Sequence, residues 1–215
     1  MREGVLLEAR AVSFEYTHGI RVLDGWSASF HAGTMTALTG PSGRGKSTLL
    51  YLLGLMLTPQ SGGILVDGQQ VGGSTDAERA RLRANRFGFV FQDAALDHSR
   101  TVLDNVTEPS LYRGGDRRAD AQRATELLER FGVDVPARRK PGQVSGGQAQ
   151  RIALCRALLT DPSILLADEP TGNLDPVTTR LVVGALREQA DAGAAVVIVT
   201  HSPDVAAECD VEVRL

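Results

Sequence analysis

The sequence predicts an α/β protein with a buried, mainly parallel sheet, and three observations predict it. Apolar, β-branched runs such as SILLAD (163–168) and AAVVIVT (194–200) alternate with helical segments, the pattern of strands covered on both faces. A glycine-rich stretch, GPSGRGKS (40–47), stands between a strand-like and a helix-like segment, the context a phosphate-binding loop requires. Helical patterning from about 93 to 159 interrupts the alternation and reads as an inserted subdomain.

Taken in order, VLLEARAVSFEY and WSASFHAGTMTALTG carry β-favouring, partly alternating residues, with His18-Gly19 in a turn between the flanking segments. After the glycine loop, KSTLLYLLGL (46–55) has helical length and is apolar nearly all round, which predicts burial. Pro59, Gly62 and Gly63 precede a short strand ILVDG, and a polar segment leads to the strand FGFVFQ (87–92). TVLDNV, ADAQRATELLERFG and GGQAQRIALCRALL are helical, the last stopping before Asp161-Pro162 because a residue preceding proline is pushed out of the α region. The strand SILLAD, a helix over 176–191, the strand AAVVIVT and a short tail complete the chain. This is one domain over 1–215, its sheet-bearing part about 1–92 and 160–215 and its helical subdomain about 93–159.

At 215 residues and 42% hydrophobic, the chain can bury a full core. A net charge of −3 provides no global basic field, so nucleic acid is not an expected partner. Arg79, Arg81, Arg83 and Arg86 read as a solvated helix face. Cys155 and Cys209 form no CxxC pair, which suits a reducing compartment. No charged-then-apolar leader is visible, and the longest apolar run, LLYLLGLML, is far short of the roughly 20 residues of a membrane span. The expected location is cytoplasmic, with any membrane role arising through a partner.

The chemistry starts at Lys46, one of only two lysines among 23 basic residues. Gly40, Gly43 and Gly45 let consecutive backbone N–H groups converge on phosphate oxygens, and the following helix adds a partial positive charge at its N-terminus. An ammonium is a compact point charge able to reach β- and γ-phosphates, whereas a guanidinium is a planar fork. Ser47 offers a hydroxyl to Mg²⁺. In a chain of this composition the four fixed positions of the motif coincide about 0.003 times by chance. Phosphate binding is therefore the expected role.

The strand SILLAD delivers Asp168 and then Glu169 at its C-terminal end. A carboxylate so placed suits support of Mg²⁺, and its neighbour suits polarisation of an attacking water; a lone Asp-Glu pair would be a solvated strand end. In VSGGQAQRIALCRAL a hydroxyl residue and two glycines open a helix. That is either an ordinary serine N-cap or a second anion site.

Together these residues resemble the ATP-binding cassette family, the ATPase subunits of ABC transporters, in order along nearly the whole chain. The resemblance makes Gly40, Pro41, Ser42, Gly43, Arg44, Gly45, Lys46 and Ser47, with Thr48 beside them, the Walker A loop, and places Tyr16 where an aromatic stacks on adenine. It makes Gln92 the Q-loop glutamine and Ser145, Gly146, Gly147 and Gln148 the signature. Asp168 and Glu169 become the Walker B aspartate and catalytic glutamate, Asp175 in GNLD the D-loop, and His201 the switch histidine. Alone, Tyr16 would be a half-buried strand aromatic, Gln92 a strand cap and His201 a surface histidine. The implied fold is a P-loop NTPase, RecA-like core with an N-terminal antiparallel β subdomain and an inserted helical signature subdomain. LLADEPTGNLD, with TVLDNV and the short C-terminus, is most similar to the lipoprotein-releasing and macrolide-exporter branch.

The resemblance implies ATP and Mg²⁺ as ligands, with Ser47, Gln92 and Asp168 at the metal and Glu169, His201 and Gln92 in catalysis. Each motif occurs once, so a second copy supplies the signature in an ATP-sandwich dimer. It also implies a membrane permease, contacted near residues 92–112, and a place on the inner face of the cell membrane. Val144, Arg44 and the run Asp97-His98-Ser99-Arg100 depart from the common pattern; the last lies on the partner-facing side. The chain stops soon after VEVRL, without the turn and strand many relatives carry. The expected function is an ATPase driving export or extraction of a lipophilic, peptide or drug-like cargo. The alternatives are a nucleotide-gated regulator of a membrane complex, of the division-associated kind, and a soluble ATPase acting on DNA or ribosomes. The last usually carries coiled-coil insertions, zinc modules or two cassettes.

Overall fold

The computed structural model describes residues 4–16, 19–172 and 174–215; His18 of the expected turn lies outside them. The chain runs β1 (Val5–Tyr16), β2 (Ile20–His31), β3 (Met35–Thr39), α1 (Lys46–Leu53), β4 (Ser61–Val66), β5 (Gln69–Gln70), α2 (Asp76–Arg86) and β6 (Phe87–Val90). It continues with α3 (Val102–Val106), α4 (Ser110–Arg113), α5 (Arg117–Arg130), a 3₁₀ turn (Pro141–Gln143) and α6 (Gly146–Leu158). The last part is β7 (Ile164–Asp168), α7 (Pro176–Asp191), β8 (Ala195–Val199), α8 (Pro203–Ala207) and β9 (Val211–Arg214).

Two sheets organise these elements. One has the order β6-β7-β8-β3-β9, and its strands pair in parallel. The other, β2-β1-β4-β5, is antiparallel. Every residue of β7 and β8 is buried, as continuous apolar strands require. Their side chains alternate between two cores. Ile164, Leu166, Ala195, Val197 and Val199 pack with α1 and the antiparallel sheet, whereas Leu165, Ala167, Val196 and Ile198 pack with α3, α5, α6 and α7. The helical stretch thus covers one face of the parallel sheet. The approach is close at Gly88, where an added Cβ would lie 2.4 Å from the Ala157 carbonyl of α6.

The polar segment before β6 is helix α2, opened by a capping box in which Thr75 accepts from Glu78 N and Glu78 accepts from Thr75 N. Its arginines depart from the expected solvated face. Arg79 bonds Thr58, Arg83 donates to the Leu55 carbonyl at 2.7 Å, and Arg86 donates to Ser163 at 2.8 Å and pairs with Asp67. Three of the four therefore tie α2 to its surroundings. The tail is more than a tail: α8 turns the chain, and VEVR becomes the edge strand β9 beside β3. No described helix is long and apolar enough to cross a membrane.

Candidate active site

The parallel strands β3, β7 and β8 lie side by side, so the loops after them gather at one edge of the sheet. The loop after β3 turns through Gly40 (φ 136°) and Gly43 (φ 78°) and reaches α1 through Gly45 (φ 86°). Gly45 is required twice over, since its conformation is left-handed and a Cβ there would collide with Val22 Cγ1 at 2.1 Å. No side chain caps α1 and no acidic residue occupies its first turn, so its N-terminal N–H groups keep their capacity for an anion. Lys46 is buried at 5% exposure, and its ammonium donates to the carbonyls of Gly40 (2.9 Å) and Pro41 (3.0 Å). Ser42, Gly43 and Arg44 are exposed on the loop.

β7 ends at Asp168, buried at 4% exposure, whose Oδ1 accepts from the Ser47 hydroxyl at 3.1 Å. Burial pushes the Asp168 carboxyl above its ordinary range, against the opposing pull of Ser47, Tyr51 and the Lys46 charge. The Tyr51 phenol, one turn along α1, lies near this carboxylate; burial and then the neighbouring Asp168 charge raise its pKa. Sequence reasoning missed Tyr51, because only the fold brings that helix face to the end of β7.

Glu169 follows in the left-handed region at φ 44°, its N–H bonded to the Val199 carbonyl at 3.0 Å. This turn aims its carboxylate at the loop after β8. Oε2 accepts from His201 N at 3.3 Å, and His201 Nε2 stands 3.4 Å from Oε1, a buried oxygen that accepts no hydrogen bond among the described residues. A side chain held in a disfavoured backbone conformation with an unsatisfied oxygen is a costly arrangement, of the kind that persists at functional sites.

Lys46, Ser47, Glu169 and His201 line a cleft of about 820 Å³, together with Ser42, Gly43, Gln92, Thr48, Thr171 and Ser202. Asp168, bonded to Ser47, does not line the cleft, and neither do Gly40, Pro41, Arg44 and Tyr51. Tyr16 stands at its edge, 43% exposed, its hydroxyl 3.1 Å from Thr48 Oγ1 and its ring edge-on to Phe14. Ile20 and Val22 extend the apolar wall beside it, a pair with no motif to mark them in the sequence.

Ser145, Gly146, Gly147, Gln148 and Asp175 do not line this cleft. Ser145 is an exposed N-cap: its hydroxyl accepts from Gln148 N at 3.2 Å, and Gln148 Oε1 accepts from Ser145 N at 2.9 Å. Asp175 is likewise an exposed N-cap, bonded to Val177 N, Thr178 N and the Thr178 hydroxyl, and the last bond does most to hold its carboxyl below the usual range. The two caps are neighbours, since a Cβ on Gly147 would sit 3.9 Å from Thr178 Oγ1.

The ABC transporter family model matches residues 23–172. The chain is 43% identical over 214 residues to the lipoprotein-releasing system ATP-binding protein LolD of Myxococcus xanthus, covering 98% of this chain and 96% of that protein. It is 42% identical over 206 residues to the macrolide export ATP-binding/permease protein MacB of Photorhabdus laumondii, spanning 94% of this chain but only 32% of that protein's length. Among solved structures, the dimeric ABC transporter cassette MJ0796 superposes with a TM-score of 0.89 at 33% identity, covering 97% of this chain and 94% of that one. A dimeric post-hydrolysis state of MJ0796 bound to ADP and Pi superposes with a TM-score of 0.91 at 33% identity, over 98% of this chain and 94% of that one.

Proposed function

The chain belongs to the ABC transporter family and is an ATPase, and on that premise we propose that it closes as a head-to-tail dimer around two ATP molecules to drive a membrane permease. The observation that carries this reading is the convergence of Lys46, Ser47 and the Glu169–His201 pair on one cleft, with Asp168 hydrogen-bonded to Ser47. Tyr16 stacks on adenine at the cleft's edge. The backbone N–H groups of residues 42–48 and the Lys46 ammonium hold the phosphates, the ammonium exchanging loop carbonyls for phosphate oxygens. The donor set fits Mg²⁺: a serine hydroxyl beside a buried carboxylate offers hard oxygen ligands, and such sites are completed by substrate phosphates. When bound, the ion neutralises charge on those phosphates. Ser47, Asp168 and Gln92 are the residues that would hold it.

Glu169 accepts a proton from water as the water oxygen attacks the γ-phosphorus. The bond from phosphorus to the bridging oxygen breaks and ADP departs with that electron pair. His201 orients Glu169 and holds the γ-phosphate, and Gln92 positions the water. Ser145, Gly146, Gly147 and Gln148 meet the γ-phosphate of the partner's nucleotide, and Asp175 couples the two sites. The exposure of both caps supports this reading, since a surface N-terminus faces whatever docks there.

Residues 92–112 contribute Ala95, Glu108, Pro109 and Tyr112 to a groove of about 360 Å³. Tyr112 is 60% exposed and Met56 39% exposed beside it, which suits an apolar segment of the permease. The chain would then work at the inner face of the membrane. Similarity to LolD and MacB favours export or extraction of a lipophilic, peptide or drug-like cargo. Proteoliposomes carrying the chain with its co-purified permease test this: lipid-anchored peptides and drug-like amphiphiles are expected to stimulate ATP hydrolysis. Hydrolysis indifferent to cargo, but dependent on assembly of another membrane complex, would favour a regulatory role.

A further inference from the structure

We propose that Arg156 positions Gln92, by clamping a left-handed Ala94–Ala95 pair that would otherwise relax. This inference rests on the catalytic reading of Gln92 given above. Ala94 has φ 62° and Ala95 φ 44°, two consecutive alanines in a region that disfavours side chains bearing a Cβ. The cost corresponds to roughly 5- to 30-fold in population per residue. Alanine has no polar group to repay it, as asparagine or aspartate would.

The N–H groups of the pair are held within the turn, Ala94 N donating to the Phe91 carbonyl at 3.1 Å and Ala95 N to Asp93 Oδ1 at 3.2 Å, and its carbonyls are held by Arg156. The guanidinium donates through Nη1 to the Ala95 carbonyl at 2.7 Å and through Nη2 to the Ala94 carbonyl at 2.8 Å. Its planar fork matches two adjacent carbonyls as an ammonium cannot. The side chain is 8% exposed, and its nearest carboxylate, Glu108, stands 3.8 Å away. Burial lowers the Arg156 pKa, opposed by Glu108 and Asp93, so the contact was formed at a desolvation cost.

A second residue of the same helix grips the other flank. Gln150 Nε2 donates to the Phe91 carbonyl at 3.1 Å. Gln92 thus sits between two anchors on α6, Phe91 before it and Ala94–Ala95 after it, and α6 also begins at Ser145. The orientation of Gln92 is tied to the helix that would face the partner's nucleotide. An arginine that merely packs would need no strained pair to hold.

A rescue experiment separates positioning from packing, reading kcat, KM for ATP and melting temperature of the full-length protein. Arg156→Gln is expected to lower kcat by about tenfold, as misplacement of a catalytic group does. KM is expected to stay within about twofold, because the phosphate loop is untouched. The double variant Ala94→Gly/Ala95→Gly, whose own kcat is read as the reference, removes the strain because glycine adopts φ > 0 freely. Added to Arg156→Gln, the glycine pair is expected to restore most of the lost kcat. A parental kcat in Arg156→Gln overturns the inference, and so does a folded Arg156→Gln whose deficit the glycines leave in place. If Arg156→Gln fails to melt cooperatively, Arg156→Lys takes its place under the same two criteria. Gln92→Ala distinguishes the levels. A parental rate there sinks the reading of Gln92 and this inference with it, whereas an impaired Gln92→Ala beside a parental Arg156→Gln sinks this inference alone.

Discussion

Glu169→Gln is expected to bind ATP, to hydrolyse it about 10²- to 10⁴-fold more slowly than the parent, and to accumulate as a dimer in the presence of ATP and Mg²⁺. The amide is nearly isosteric with the carboxylate, so its oxygen can still accept from the His201 backbone and the turn at φ 44° is kept. What is lost is the capacity to take a proton from water. The carboxylate has one oxygen accepting from the His201 backbone and the other buried 3.4 Å from His201 Nε2, with no hydrogen bond among the described residues, so its acceptor capacity is not used up by them. Without hydrolysis, the nucleotide that bridges two protomers stays in place. Size-exclusion chromatography with ATP, ADP or no nucleotide reads the trapped species. A variant turning over at the parental rate would remove Glu169 from the mechanism.

Lys46→Ala carries the second large effect. Lys46 is almost fully buried and, among the described residues, its ammonium donates to the loop carbonyls of Gly40 and Pro41, groups that phosphate oxygens would replace with stronger charge-assisted bonds. Loss of such a contact corresponds to about 10- to 150-fold in ATP affinity, measured by calorimetry. Lys46→Arg is an informative companion, because it keeps the charge. If a point charge in a confined cradle is what matters, the wider guanidinium is expected to fail as well. Unchanged ATP binding in Lys46→Ala would contradict the cradle.

Much of this was legible in the sequence, for physical reasons. The buried strands β7 and β8 announce themselves as unbroken apolar runs because both faces are covered. The start of α7 suits Asp175-Pro176, an N-cap followed by a proline that has no N–H to waste. The turn between β3 and α1 is legible because Gly40, Gly43 and Gly45 all take positive φ, a conformation that calls for glycine at fixed places. By contrast, α2 reads in the sequence only as a polar segment, and it is the structure that shows Thr75 and Glu78 closing a capping box at its start.

The rest depends on contacts that no local pattern records. Tyr51 reaches Asp168 only because α1 packs beside β7, and Ile20 and Val22 join the cleft only through the antiparallel sheet. The left-handed alanines carry no glycine or asparagine to signal them, and Arg156 is sixty-one residues from the carbonyl of Ala95 that it holds. Ser145 remained open between an ordinary cap and a second anion site because one chain satisfies the first reading by itself. The second requires another copy.

The shared nucleotide site is therefore the claim to test most directly. Lys46→Ala protein and Ser145→Glu protein, each inactive alone, are mixed under conditions that exchange protomers. In a head-to-tail pair one site inherits both lesions and the other inherits neither. ATP hydrolysis is expected to reappear in the mixture, as a fraction set by the share of mixed dimers. Verified mixed dimers that stay inactive, while the parent turns over under the same conditions, would contradict a site built from Lys46 of one protomer and Ser145 of its partner.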